Sequence, residues 1–382
     1  TVLAPSARAQ APAGTALYDP QGLTAKLLTA AGVRFQPVAT PTAPESCKLL
    51  LIGREALTAD GPGVDLAGLL ARGVNVVFFE QSEAVLQKRL GFRTASPGVR
   101  RVYVREPASP LARGLSDELL RDWRGSSSLV EAYPEPKGFQ GTYPTVDWCG
   151  FANTRAWKWG NYGTVATVVI EKPARGNFTA PFDCEFDLQY TPLLEWTTPQ
   201  ARVLFCQFDL SGRGLPEPAA ERLLANLLSY AGQPVAATLG PCRYVGRQEE
   251  NELLRELGAD LTGRRIAIIG PQADPAQAKD AVSAAQTVIC LGLDGAALSQ
   301  VLPFPVQTEA QPVLNTLVGR PTQGALVGVG NAELHWRAKI VVPVLTQLPA
   351  GFTRVATGVF AEGTFQGKRY VLQQFAPTTF DY

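Results

Sequence analysis

Apolar residues fall into short unbroken runs separated by stretches in which they recur every three or four positions. Leu23, Leu27 and Leu28 share one helical face between Gly22 and Ala31, and Gly32 stands where a helix would stop. VRFQPV reads as a strand, CKLLLIG as a fully buried one, and Leu66 to Ala71 as a helix closed by Gly73. VNVVFFE is another buried strand. From Tyr103 to Tyr143 the pattern dissolves into loop-rich sequence. TVATVVIEK, the alternating CEFDLQY and RVLFCQFD then read as strands. EPAAERLLANLLSYAG is an amphipathic helix with Pro218 in its first turn and Gly232 past its end.

The pattern occurs twice. Tyr18 to Gly32 (YDPQGLTAKLLTAAG) matches Tyr244 to Gly258 (YVGRQEENELLRELG), and LLLIG ending at Gly53 matches VICLG ending at Gly292. Gln81 to Ala84 (QSEA) matches Gln307 to Ala310 (QTEA), Trp123-Arg124 matches Trp336-Arg337, and RVLFCQFD matches RYVLQQFA. Five matches in one order predict two copies of one domain, 1–239 and 240–382. Continuous apolar strands alternating with helices predict a parallel sheet covered on both faces. The fold class expected is therefore α/β, two flavodoxin-like three-layer sandwiches in tandem. On this alignment LTGRRIAIIG is an extra strand of the second copy, which lacks a helix before its QTEA. It also has no counterpart of ERLLANLLSYAG, so it reads as incomplete at its C-terminus and the chain as a piece of a longer protein.

With 46% hydrophobic and 18% charged residues, each half can bury an ordinary core. Lys plus Arg is 35 and Asp plus Glu is 34, so no net field draws nucleic acid or an anionic membrane. No run of eighteen apolar residues exists to span a bilayer. The opening TVLAPSARAQAPAG reads as a Pro/Ala linker, having neither the basic start nor the apolar centre of a signal peptide. Cys47, Cys149, Cys184, Cys206, Cys242 and Cys290 lack metal-ligand spacing and read as buried structural thiols, with one or two disulfides open to an exported protein. A periplasmic or extracellular setting is favoured over a cytoplasmic one. IIGPQADP has one glycine where a dinucleotide loop needs three, and no GxxxxGK[ST], HExxH or histidine cluster occurs. No cofactor and no metal is expected.

The order of strands, with a polar turn directly after VNVVFFE, resembles the class I glutamine amidotransferase-like fold shared by ThuA-like proteins and the trimerisation domain of some β-galactosidases. That resemblance implies a nucleophile on a glycine-flanked elbow, which here falls at Ser82 or Thr308, and a later histidine to activate it. The turns EQSEA and VQTEA contain no glycine, and the single histidine, His335, lies in the second copy. His335 as a base for Thr308 is outweighed by His335 packed beside Trp336, and both amidotransferase-like sites read as dead.

Asp183, Glu185 and Asp187 alternate along PFDCEFDLQY, as a glycosidase carboxylate pair could and as any half-exposed strand does. DWCGFANTRAWKWGNYG concentrates Trp148, Trp157, Trp159 and Tyr162 among amides and cations. Such rings suit core packing, a protein interface or a sugar face alike. GLSDELLRDWRGSSSLVEAYP, WKWGNYGTVATVVIEKP, FDLQYTPLLEW and GNAELHWR resemble the C-terminal region of large bacterial glycoside hydrolase family 2-like proteins. The resemblance implies an accessory role: assembly or shaping of an active-site rim, with the catalytic carboxylates in upstream glycosidase domains of the same polypeptide. Trp123, Arg124, Trp148, Trp157, Trp159, Tyr162, Trp336 and Arg337 are the expected contact residues, toward those domains, a second copy or a carbohydrate. A ThuA-like or amidotransferase-like enzyme and a sugar-binding module are the alternatives.

Overall fold

The computed structural model describes residues 9–95, 98–130, 145–148, 151–154, 161–173, 176–185, 188–213, 215–235, 241–316, 318, 324–327, 329, 334–376 and 378–379. They divide into two compact units, one ending at Val235 and one following it, with residues 175–177 grouped with the second.

The first unit begins with β1 (Thr15–Tyr18), α1 (Leu23–Ala30), β2 (Gln36–Pro37), β3 (Leu49–Ile52), α2 (Leu66–Ala71), β4 (Asn75–Phe78) and α3 (Glu83–Lys88). An antiparallel region follows, with β5 (Thr94–Ala95), β6 (Val102–Val104), β7 (Thr145–Trp148), β8 (Phe151–Thr154), β9 (Val169–Glu171), β10 (Phe178–Thr179), β11 (Phe182–Cys184) and β12 (Tyr190–Thr191). The unit closes with β13 (Leu193–Thr197), β14 (Arg202–Cys206) and α4 (Pro218–Ala231). Its main sheet runs β2-β1-β3-β4-β14-β13-β10, parallel from β2 to β14 and antiparallel thereafter.

Alternation along these strands sorts the core into two layers. Leu17, Leu49, Leu51, Val77, Leu204 and Cys206 pack with Leu28 of α1 and Leu223, Leu227 and Leu228 of α4. Ala16, Leu50, Ile52, Val76, Val203 and Phe205 pack on the other face with Leu69 and Leu70 of α2 and Val85 and Leu86 of α3. Because both faces are covered, the strands are apolar throughout. The helix ends sit where glycine punctuation places them: Gly32 and Gly73 take left-handed backbone at φ 72 and 71. A second sheet, β5-β9-β12-β11-β6, accounts for the strands read beyond Tyr143.

The second unit contains β15 (Cys242–Val245), α5 (Gln248–Glu256), β16 (Ile266–Ile269), α6 (Pro275–Ala284), β17 (Thr287–Leu291) and α7 (Gly295–Val301). A long ribbon of β18 (Gln307–Asn315) and β19 (His335–Gln347) comes next, then β20 (Phe352–Val355), β21 (Phe360–Phe365) and β22 (Lys368–Gln373). Its sheet runs β15-β16-β17-β22-β21-β20, four parallel strands followed by two antiparallel ones. This is the order β1-β3-β4-β14-β13-β10 of the first unit.

That order corrects two of the five sequence matches and the two differences read from them. The counterpart of LLLIG is IAIIG, ending at Gly270, so β16 is not an extra strand, and VICLG answers to VNVVFF. A helix, α7, does stand between VICLG and QTEA. QTEA itself lies on β18, whereas the position of Ser82 at the start of α3 is held by Asp294 at the start of α7. Alternating short words such as QSEA are too common to fix a register that strand pairing decides.

The place of α4 is also filled. RVLFCQFD from Arg202 lies on β14 and RYVLQQFA from Arg369 on β22, so Leu204, which faces α4, answers to Val371. Val371 is buried in a cluster with Val313, Val342 and Val344 of the ribbon. A β-ribbon thus covers the face that a helix covers in the first unit. Val344→Asp would put an unpaired carboxylate in this cluster, at a cost of several kcal/mol. Limited proteolysis should then cut within 241–376 while 9–235 resists; unchanged resistance of 241–376 would contradict the covering role.

Candidate functional site

In open α/β sheets ligands bind outside the carboxyl ends of the strands, so the residues following β1, β3, β4 and β14 are the place to look. After β4 comes Glu80, fully buried. Its carboxylate accepts from the Leu210 and Ser211 amides at 2.6 and 2.7 Å and from the Ser211 hydroxyl at 2.6 Å. Gln81 donates to the carbonyls of Gly53 and Phe79, each at 2.8 Å, and its own amide donates to Gln207 Oε1 at 3.1 Å. The loops after β3, β4 and β14 are thereby tied together.

Asp209 is fully buried and pairs with Arg213 at 2.9 Å. Arg213 also donates to the Thr164 carbonyl at 2.5 Å and to the Arg124 carbonyl, and lies over the Trp123 ring. Loss of solvation and the neighbouring Glu80 charge push the Asp209 carboxyl up to about 7, against the pull of Arg213 and Arg54. Burial likewise raises Glu80, opposed by its bonds from Ser211. Arg54, 3% exposed, donates to Ser128 Oγ at 2.8 Å. These groups have complementary charges, but only Asp209 and Arg213 bond to each other, and Arg54 Nε, Asp209 Oδ1 and Arg213 Nε are enclosed without a hydrogen-bond partner among the described residues.

The crevice between β1 and β3, where this strand order reverses direction, is closed from within. Asp19 accepts from the Ala25 amide in the first turn of α1 at 2.7 Å, where an anion would otherwise sit. Gly53 is glycine because a Cβ there would collide with the Asp19 carboxylate. The second unit does the same with other residues: Tyr244 donates its hydroxyl to Glu250 against Gly270, and Thr378 donates to the same carboxylate at 3.2 Å.

Ser82 is the N-cap of α3, with extended backbone at φ −67 and its hydroxyl accepting from the Val85 amide at 3.4 Å. It has neither the strained backbone of a nucleophile elbow nor a histidine in its unit. Thr308 accepts from the Gly295 amide at 2.7 Å. It pairs with Leu345, whereas His335 pairs with Asn315 at the far end of the same ribbon. Ten residues of strand separate the two levels, roughly 30 Å, so a Thr308–His335 dyad does not form.

The alternation of the three acids also breaks. Asp183 is tied to Lys172 at 3.0 Å and lies 3.9 Å from Arg105. β11 ends at Cys184, Glu185 takes left-handed backbone at φ 66, and Asp187 lies outside the described residues. Trp123, expected at a surface, is 1% exposed, stacked on Phe208 and bonded to the Leu119 carbonyl. Asp122 and Arg124 on either side of it are exposed. Arg124 is exposed, its backbone amide and side chain meeting the Glu217 carboxylate. Tyr162 is 58% exposed. Trp148 lies on β7, and Trp336 and Arg337 on β19 beside His335; Trp157 and Trp159 fall outside the described residues.

Sequence reasoning passed over Glu80, Asp209, Arg54 and Arg213. Their signal was a charged residue directly or closely following an apolar strand, as in VVFFE, LFCQFD and LLLIGR. The five described cysteines, at 47, 184, 206, 242 and 290, are unpaired and buried, and burial raises each thiol. Among the described residues no cluster of His, Cys, Asp and Glu could hold a metal ion, and no helix is long and apolar enough to cross a membrane.

No family model and no curated protein matches the chain. Among solved structures it is similar to a glutamine amido transferase from Methylobacillus flagellatus, with 10% identity and a TM-score of 0.30 over 63% of this chain and 99% of that one. So distant a likeness carries no argument about activity, and the α/β assignment rests on the sheets themselves.

An acid whose folded-state pKa is raised holds its proton in the native state where the unfolded chain has released it. The Asp209 contribution to stability is therefore greatest below pH 3.8 and is lost as pH rises to about 7. Urea unfolding of wild type and Asp209→Asn across this range should show the wild type losing stability with pH relative to the variant. A pH-independent difference would contradict the buried, repelled state of Asp209.

Proposed function

We propose that this chain is a non-catalytic tandem of amidotransferase-like α/β modules, acting as the accessory or assembly part of a carbohydrate-active enzyme of the β-galactosidase type. The observation that carries the reading is the use of the sheet's carboxyl end. Where a reacting group would stand, Ser82 caps a helix, Glu80 clamps two loops, and Asp19 fills the crevice beside Gly53. Groups committed to such bonds would have to break them before meeting a substrate, at a cost of several kcal/mol for the buried charges. The shared strand order of the two units supports a duplicated module. The link to carbohydrate-active enzymes rests on the segments that resemble the C-terminal region of family 2-like proteins, and the partners would be upstream glycosidase domains, a second copy or a carbohydrate.

Assays of ammonia release from glutamine and of aryl-glycoside hydrolysis should find no rate above background with this chain. A rate abolished by Ser82→Ala or by Asp183→Asn would overturn the reading in favour of an enzyme.

A further inference from the structure

A cavity of about 810 Å³ opens in the first unit between α1, α4 and the loop after β14. Its walls are aliphatic, with Leu23, Leu27, Leu215 and Leu224, and the Leu215 side chain is 54% exposed. Its polar lining includes Arg54, Ser128 and Ser211. Arg54 is the unusual member. It is 3% exposed; Nη2 donates to Ser128, Nε is enclosed, Nη1 makes no hydrogen bond among the described residues, and the nearest carboxylate, Glu55, stands 4.0 Å away. The guanidinium passes Gly212 so closely that a Cβ there would displace it, and it is held by Ser128, whose hydroxyl donates to the Gly212 carbonyl at 3.0 Å.

We propose that this cavity binds an organic monocarboxylate with an aliphatic body. A buried guanidinium with an unused donor is a carboxylate-recognising group, able to form charge-assisted bonds in a low-dielectric setting. Leucine walls suit an alkyl chain, since a pocket of this size encloses a small ligand by apolar contact and orients it with a few polar atoms. No aromatic ring and no side-chain amide lines the cavity, which disfavours a sugar. Lys26, Arg54 and Arg213 line it against Glu217 and Glu221, so the lining carries one net positive charge, which matches a single negative charge better than a dianion such as phosphate. The ligand needs none of the bonds that close the crevice beside Gly53.

Octanoate, 1-octanol and inorganic phosphate serve as probes in titration calorimetry with the whole chain. Arg54→Gln is the direct variant, but Arg54 sits beside Glu80 and Asp209 and its loss threatens folding. Ala30→Trp, at an exposed position lining the mouth, fills the cavity and leaves the network intact. Octanoate should bind at least about tenfold more tightly than octanol, and Ala30→Trp should weaken it by at least about tenfold with an unchanged urea midpoint. Absence of octanoate binding, equal binding of octanol, tighter binding of phosphate, or full binding by Ala30→Trp would each overturn the proposal.

Discussion

The Glu80 carboxylate accepting from the Leu210 amide, the Ser211 amide and the Ser211 hydroxyl is the contact on which the first unit's carboxyl end depends. It joins the end of β4 to the loop after β14, two segments 130 residues apart in sequence with an antiparallel sheet inserted between them. A buried carboxylate is costly unless its lone pairs are met. Here three donors meet them, and removing one side would leave a desolvated charge. The surrounding charges follow from the same constraint: Arg54 stabilises the charged forms of both Glu80 and Asp209, and Arg213 that of Asp209.

The two units solve one topological problem with different chemistry. A sheet of this order leaves a crevice where the chain reverses direction, at the ends of β1 and β3 and of β15 and β16. Asp19 fills the first and the Tyr244–Glu250 pair the second, each against a glycine that ends the adjoining strand. Local replacement goes further in the second unit, where a ribbon of Val313, Val342 and Val344 shields the face that α4 shields in the first. What the two units share is the strand order and the two-sided core; their covering elements and polar fillings differ.

Much of this architecture was legible in the sequence because continuous apolar runs of four or five residues bounded by glycine admit few other readings. α1, α2, α4 and the strands β3, β4 and β14 stand where periodicity and capping place them. The register between the two units was not legible, since QSEA and QTEA agree by letter while Ser82 starts a helix and Thr308 lies within a strand. The site was legible only in part. Missing glycines at the turns and the single histidine were visible signs against an elbow, but that Trp123 is core and that Glu80, Asp209, Arg54 and Arg213 gather depends on contacts between segments far apart in the sequence. Alternation of Asp183, Glu185 and Asp187 could not reveal the left-handed residue at Glu185 that ends their common face.

Hydrogen exchange at the Leu210 and Ser211 amides tests the central claim most directly, because both donate to the Glu80 carboxylate and the Ser211 amide donates to nothing else among the described residues. If that clamp seals the carboxyl end of the sheet, these loop amides exchange as slowly as those of β4 and β14, through unfolding of the whole unit. Exchange as fast as in an exposed loop would mean that the end of the sheet opens in the native state, and would contradict a structural role for the cluster.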